Sequence, residues 1–498
     1  MKTNHLEPKD VEQIISHGLT LDQYQNQLDF FHNGIPFLHL EAPAGIHNGI
    51  HKFSEKEVEK YIRVYEGRDI EAIKFVPASG AATRMFKFLQ VFYSDFSNSP
   101  EAFRQEKIRD KIIQDFFKHL PEFPFYHELL SETKKSYPDF EKRDEGEKRL
   151  ILLKTLLQKF SSLPKGLIPF HKYPTEIRTA FEEHFVEAAA YATKKGISRL
   201  HFTISESHLE RFENAVEKIK EKRTGNFQVS YSFQQKKTDT IAVDMQNQPV
   251  RDEMGKLVFR PGGHGALLEN LNQIDADIIF IKNIDNVSVE KNLPLISTYK
   301  KALAGFLLEI QAETFRLLQE MESMQNKASI LTEARAFLEQ KLNIRVESPE
   351  EISYYLNRPI RVCGMVKNTG APGGGPFWVK EKTGETSLQI VETAQIDLKN
   401  SHQKNILEKA THFNPVDVVC GVRDYRGNKF DLRIFSDSKQ AFLSHKSVNG
   451  KEIKALELPG LWNGAMAKWN SIFVEVPQQS FHPVKTLIDL LKSGHRGA

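Results

Sequence analysis

Cysteine is nearly absent from this 498-residue chain, which has only Cys363 and Cys420. Two thiols cannot make a disulfide framework, and both sit in apolar, strand-like runs, so they read as buried free thiols. Tryptophan is confined to Trp378, Trp462 and Trp469, all in the last third. No stretch approaches the roughly 18 consecutive apolar residues of a membrane-spanning helix, and the opening MKTNHLEPKD lacks the apolar core of a signal peptide. A cytoplasmic protein with no membrane partner is expected. One-sided charge is missing too: 68 Lys and Arg stand against 65 Asp and Glu, a net charge of +3, so no global field argues for nucleic acid. Lys218 to Arg223 alternates with glutamates, as a solvated helix face does. Internal repeats, low-complexity tracts and heptads are absent as well.

What is present is ordinary globular composition, 40% hydrophobic and 27% charged, in a length that suits two or three domains or one domain with insertions. Residues 1–70 read as helical, with apolar three-and-four spacing over Val11 to Phe31 and a Ser54-x-x-Glu57 capping box. The glycines of GIHNGIH favour a loop there over metal ligation by His47 and His51. Ala72 to Pro77 reads as a buried strand, followed by a turn of small residues and a helix from about Thr83. A charged, helix-forming insertion covers roughly 93–160, and Thr175 to Lys194 reads as a helix capped by Gly196. Ile197 to Ile204, Phe227 to Phe233 and Ile278 to Ile281 follow as strands. Strands separated by helices predict an α/β fold with a mixed, mostly parallel sheet. Leu303 to Leu342 reads as helical. Arg358 to Val366 and Ser387 to Ile396 read as strands around the loop GAPGGGPFW.

Several constellations carry chemistry. The turn FVPASGAATR leaves backbone N–H groups free at a helix N-terminus, where Ser79, Gly80, Ala81 and Ala82 let a phosphate approach and Arg84 adds charge. Small residues packing a strand-to-helix turn are the alternative. Lys165, rigidly placed between Pro164 and Gly166, suits neutralisation of a phosphoryl group or is a surface lysine in a proline turn. In RPGGHGALLENL, Gly263, His264 and Gly265 form a loop in which backbone can lie against a planar ring. Asp285 ends an apolar strand, the position at which open α/β sheets place ligands, and suits Mg²⁺ or a helix cap. Trp378 beside the GGG loop suits a sugar or core packing, and Glu392 and Gln395 offer hydrogen bonds to hydroxyls. Lys485 is a second lysine close behind a proline.

In this order the segments resemble the nucleotide-sugar pyrophosphorylases of the eukaryotic UDP-glucose and UDP-N-acetylglucosamine type. The matching residues are Gly80, Thr83 and Arg84; Pro164, Lys165 and Gly166; Phe233 and Gln235; Gly263 and Gly265; Asp285 and Asn286. They continue through Glu392 and Gln395 to Asn463, then Phe481, Pro483, Val484, Lys485, Asp489 and Leu490. As a whole the chain is similar to a bacterial family of about this length, domain of unknown function 4301, whose name carries no activity.

The resemblance implies a GT-A-like, Rossmann-related nucleotidyltransferase fold, with a nucleotide-binding core over 71–345 and a sugar-binding part over 346–498. It implies that Arg84, Lys165 and Lys485 hold the phosphates and that Asp285 binds Mg²⁺. Ser79 to Ala82, Gln235 and Gly263 to Gly265 would meet the nucleotide. Asn286, Gly374, Glu392, Gln395 and Asn463 would face the sugar. The implied substrates are a nucleoside triphosphate and a sugar 1-phosphate. A GT-A glycosyltransferase and a non-catalytic nucleotide-sugar binding protein are the alternative readings.

Overall fold

A computed structural model of the chain describes residues 6–80, 82–323, 328–346, 348–370, 373–381, 384–448 and 451–497. Strands and helices alternate along the chain, which is mixed α/β. It divides into two compact units, each discontinuous in sequence. The first is Met1–Ile73, Ser232–Ile281 and Tyr299–Val476; the second is Lys74–Tyr231, Lys282–Thr298 and Pro477–Ala498.

In the first unit the main sheet runs through Gly45–Ile46, Gly49–His51, Asn470–Glu475, Ile360–Met365, Asp417–Gly421 and Ile278–Ile281. The first three pairings are parallel, with Val362 opposite Ile472, and the last two antiparallel, with Val362 and Phe280 both opposite Val419. Ile360–Met365, Asp417–Gly421 and Ile278–Ile281 are buried along their whole length, as in a sheet covered on both faces. Cys363 and Cys420 lie on two of these strands, buried and free, and burial pushes the Cys363 thiol up to about 11. Two antiparallel sheets accompany the main one: His39–Pro43 with Gly375–Lys380 and Thr386–Val391, and Phe259–Pro261 with Asp239–Val243, Lys451–Glu457 and Phe442–Val448. Two N-terminal helices, Pro8–Ser16 and Leu21–Asn33, flank Gly18, and their apolar faces pack on Ile241, Val243 and Leu456. The Ser54–Glu57 capping box forms on Glu55–Glu66.

The second unit is built on Ala72–Pro77, parallel to Ile197–Ile204 with Phe75 opposite His201, and Asn226–Phe233 also pairs with Ile197–Ile204. The insertion supplies the helices Lys111–His119, Tyr126–Ser136 and Glu145–Phe160 behind Thr83–Phe96. Phe86, Phe103, Phe116, Phe123, Phe125 and Phe160 form its core, which Val484, Leu487 and Leu490 join from the last segment of the chain.

One expectation is corrected. The helix expected over Thr175 to Lys194 is shorter, Ala180–Tyr191, because Ile177–Thr179 pairs with Pro169–Lys172 and Thr193–Lys194 folds back on Ile197–Ile204. Gly196 is therefore a hairpin residue. Lys195 and Gly196 have φ of 52° and 72°, the left-handed pair that a two-residue hairpin needs. The helical stretch expected over Leu303 to Leu342 is described as the helices Leu293–Ser323 and Ala328–Leu342, with 324–327 outside the described residues. Among the described residues no helix is long and apolar enough to cross a membrane.

Candidate functional site

The strand Ala72–Pro77 is buried along its whole length and delivers the chain into the small-residue turn. Ser79 is half-buried, Gly80 is exposed and Ala82 is buried at the start of Thr83–Phe96, while Ala81 lies outside the described residues. The turn is tied to the Pro-Lys-Gly segment: Lys165 N donates to the Gly80 carbonyl at 3.3 Å and Ala82 N to that of Leu163 at 3.4 Å. Gly166 is required by space. A Cβ there would lie 3.0 Å from the side chain of Ile284, the residue before Asp285.

That close approach brings Lys165 Nζ to 2.7 Å from Asp285 Oδ2. Lys165 also donates to the Val484 carbonyl, and Lys485 Nζ stands 3.7 Å from the same Asp285 oxygen. The last segment is pinned beside the carboxylate. Val484 N donates to the Asp285 carbonyl at 3.1 Å, His482 N donates to Asn286 Oδ1 at 3.0 Å, and Asn286 bridges to Pro483. Asp489 Oδ2 then accepts from Lys485 N and Thr486 N at 2.8 and 2.7 Å, fixing the turn from which Lys485 projects. Lys165, Asp285 and Lys485, from three distant stretches, thus meet at one point. Arg84 is exposed on the first turn of its helix.

The electrostatics of the cluster are uneven. Burial pushes the Lys165 ammonium down from its usual value, the neighbouring Lys485 pushes the same way, and Asp285 opposes both. The Lys485 side chain is 69% exposed, so one ammonium faces solvent while the other is held inside. Burial also pushes the Asp489 carboxyl up, but Lys492 and the two backbone N–H groups outweigh it and hold it low.

Two neighbouring groups escape sequence reading. Lys74 and Lys282 each reach the buried Glu187, at 2.8 and 2.7 Å. Burial alone would push the Glu187 carboxyl up; the two lysines override it and hold it well below the usual range. The local signal is a lysine within one apolar strand, Lys74, and one directly after another, Lys282. The second group is a buried chain: His171 Nδ1 lies 2.8 Å from Glu183 Oε1, and His171 Nε2 lies 2.8 Å from His495 Nδ1. With the Nδ1 proton donated to the Glu183 carboxylate, Nε2 of His171 is the atom left to meet His495. This chain anchors the segment that carries Lys485.

The remaining candidates belong to the first unit. The glycines of the PGGHG loop are spent on close approach of the chain to itself: a Cβ on Gly262 would lie 2.5 Å from the Thr238 carbonyl and one on Gly265 2.4 Å from that of Pro459. Gly263 has φ +73°. His264 is exposed and edge-on to Trp462 at 4.7 Å, and Gln235 is half-buried. Gly265, Thr238 and Leu268 line a cavity of about 500 Å³. Gly374 packs against the Val391 carbonyl. Glu392 accepts from Asn414 Nδ2 at 3.0 Å, while Gln395 and Asn463 are buried and bonded together at 3.2 Å. Gln395 also caps the turn through Glu392 N at 2.9 Å and donates to the Gln440 carbonyl at 2.8 Å.

The family model described as "Domain of unknown function (DUF4301)" matches residues 7–496. No curated protein matches the chain. Among solved structures it is similar to two variants of UDP-glucose pyrophosphorylase from Leishmania major, each in complex with UDP-glucose. The first is 12% identical at a TM-score of 0.43, covering 97% of this chain and 77% of the other. The second is 11% identical at 0.45, covering 99% and 79%. TM-scores below 0.5 make these likenesses loose, and the function is read from the chain's own residues.

Proposed function

The chain belongs to the DUF4301 family, and we propose that it is a cytoplasmic sugar-1-phosphate nucleotidyltransferase that joins a nucleoside triphosphate, UTP by preference, to a sugar 1-phosphate, or runs the reverse reaction. The observation that carries the reading is the meeting of Lys165 and Lys485 on Asp285 beside the turn at Gly80. Two ammonium groups at one carboxylate leave a net positive centre, which suits the charge that builds on a phosphoryl group in transfer.

In the proposed reaction a phosphate oxygen of the sugar 1-phosphate attacks the α-phosphorus in line. The new P–O bond forms as the bond to the β-phosphate breaks, and pyrophosphate leaves with the electron pair. No group on the protein changes its bonding, so positioning and charge neutralisation supply the catalysis. Exposed Lys485 contacts the α-phosphate, Lys165 holds Asp285 and the Val484 carbonyl in place while contributing charge, and Arg84 with Ser79 to Ala82 meets the remaining phosphates. Gln235 and Gly263 to Gly265 are assigned to the base, and Asn286, Gly374, Glu392, Gln395 and Asn463 to the sugar.

Mg²⁺ belongs to the proposal. Asp285 offers a hard carboxylate oxygen at a strand end, and Mg²⁺ is commonly held by one or two carboxylates with substrate phosphates completing its shell. Asp285 would hold the ion, which would supply further neutralisation of phosphate charge when bound. Its Oδ2 already bears Lys165, so ion and ammonium compete for that oxygen.

The test is a pyrophosphate-release screen of nucleoside triphosphates against sugar 1-phosphates with Mg²⁺, repeated on Lys165→Ala. Release that disappears in the variant supports the reading. Unchanged turnover in the variant overturns the role of Lys165, and transfer of sugar to an acceptor without pyrophosphate favours a glycosyltransferase.

A further inference from the structure

A cleft of about 1550 Å³ in the first unit has no part in the function proposed above. Arg358 forms part of its wall, and only 9% of that residue is exposed. Its guanidinium carbon lies 3.9 Å from the ring centre of Tyr354 and 4.0 Å from that of Tyr355. Its Nε is buried without a hydrogen-bond partner, and no ion pair to it is formed among the described residues. Burial pushes the guanidinium below its ordinary value, and the two tyrosines offset this in part. A buried cation without a carboxylate is costly, and ring faces compensate only a fraction of that cost. What the rings do achieve is to fix the plane of the fork, the geometry that receives a carboxylate or phosphate in two parallel hydrogen bonds.

The rest of the cleft narrows the choice of anion. Acidic and basic side chains line it in equal number, so it has no excess field for a polyanion such as a nucleic acid. It also presents flat apolar faces: Phe37 is 56% and Tyr354 53% exposed, and the Trp378 ring is held by a bond from Nε1 to Asn48 Oδ1 at 3.1 Å. Glu381, Glu385 and Asp437 stand among these rings as acceptors. Aromatic faces together with carboxylates that can accept from hydroxyls suit a polyhydroxylated chain. The volume exceeds the roughly 300–1,000 Å³ of an ordinary small-ligand pocket and suits several sugar units.

We propose that this cleft binds a short oligosaccharide carrying one oxyanion, a carboxylate or a phosphate, which Arg358 takes as its partner while Tyr354, Phe37 and Trp378 stack on neighbouring sugar rings. The site is independent of nucleotide chemistry, so its test needs no nucleotide and its failure leaves the preceding reading untouched.

Titration calorimetry on the full chain compares xylotriose with the same trisaccharide bearing one glucuronic acid, lactose with lactose 1-phosphate, and tricarballylate as an acid that is not a sugar. The expected result is that at least one charged sugar binds about tenfold or more tightly than its neutral partner, and whichever does identifies the anion as carboxylate or phosphate. Arg358→Lys, which keeps the charge and loses the fork, weakens that binding about tenfold. Phe37→Ala, on a mostly exposed ring, weakens it with the melting temperature unchanged, which keeps the test valid should the arginine variant fold poorly. The proposal is overturned if neither charged sugar binds, if neutral and charged sugars bind alike, if tricarballylate binds as tightly, or if Phe37→Ala binds as the natural chain does.

Discussion

The Lys165–Asp285–Lys485 cluster and the Glu392–Gln395–Asn463 network differ in how their polar groups are spent. In the cluster two cations share one carboxylate oxygen and Lys485 remains largely in solvent, so charge is left over. In the network Gln395 bonds Glu392 N, the Gln440 carbonyl and Asn463, all within the fold, so its amide is fully spent, while Asn463 Oδ1 is buried without a partner among the described residues. Candidates of equal standing in sequence thus sit in different physical situations. Unsatisfied charge at a solvent boundary can stabilise a reacting group, whereas a satisfied buried amide mainly specifies a loop.

The largest expected effect breaks or upholds that contrast on the cluster side. Lys165→Ala should lower pyrophosphate release on the order of 10²–10³-fold or more, with far-ultraviolet circular dichroism retained. On the network side, Gln395→Ala should cost about 1–3 kcal/mol in urea unfolding, because it strands buried partners. If it leaves stability alone and weakens only sugar binding, the two regions are more alike than their bonding suggests.

The third effect concerns pH. Burial, with His171 and His482 adding to it, pushes His495 down from 6.5 to about 3, and burial pushes His201 down to about 4. These imidazoles are neutral in the fold and take up protons near 6.5 when unfolded. Their contribution is therefore complete above about 6.5 and is lost as pH falls from there toward 4 and 3. Thermal unfolding between pH 7.5 and 4.5 should show the decline, and His495→Asn should flatten it; an unchanged slope contradicts the account of the chain that anchors the Lys485 segment. The smallest effect is on stability at Lys485: Lys485→Ala should shift it by no more than about 0.5 kcal/mol while reducing turnover, since the side chain is mostly exposed.

Local features were legible in the sequence because they rest on local physics. The strand Ala72–Pro77 is an apolar run broken by Lys74 alone, the Ser54 box is a spacing of three, and the helices of the insertion follow their own periodicity. Helix bounds near Thr175 were not, because pairing with Pro169–Lys172 overrides propensity at Ile177–Thr179. Individual site residues stood out by their company, such as Lys165 between Pro and Gly. Their partners did not, since Lys165 and Asp285 are 120 positions apart and His171 and His495 324. Arg358 carried no signal at all: its meaning lies in the two tyrosine faces that hold it.

The central claim is that the positive centre at Asp285 receives a nucleoside triphosphate for transfer to a sugar 1-phosphate. Pyrophosphate release from UTP and a panel of sugar 1-phosphates with Mg²⁺, in the natural chain and in Lys165→Ala side by side, tests it most directly. The account predicts release in the first and its loss in the second; absence of release with every nucleoside triphosphate and sugar 1-phosphate, or equal release from both proteins, would contradict it.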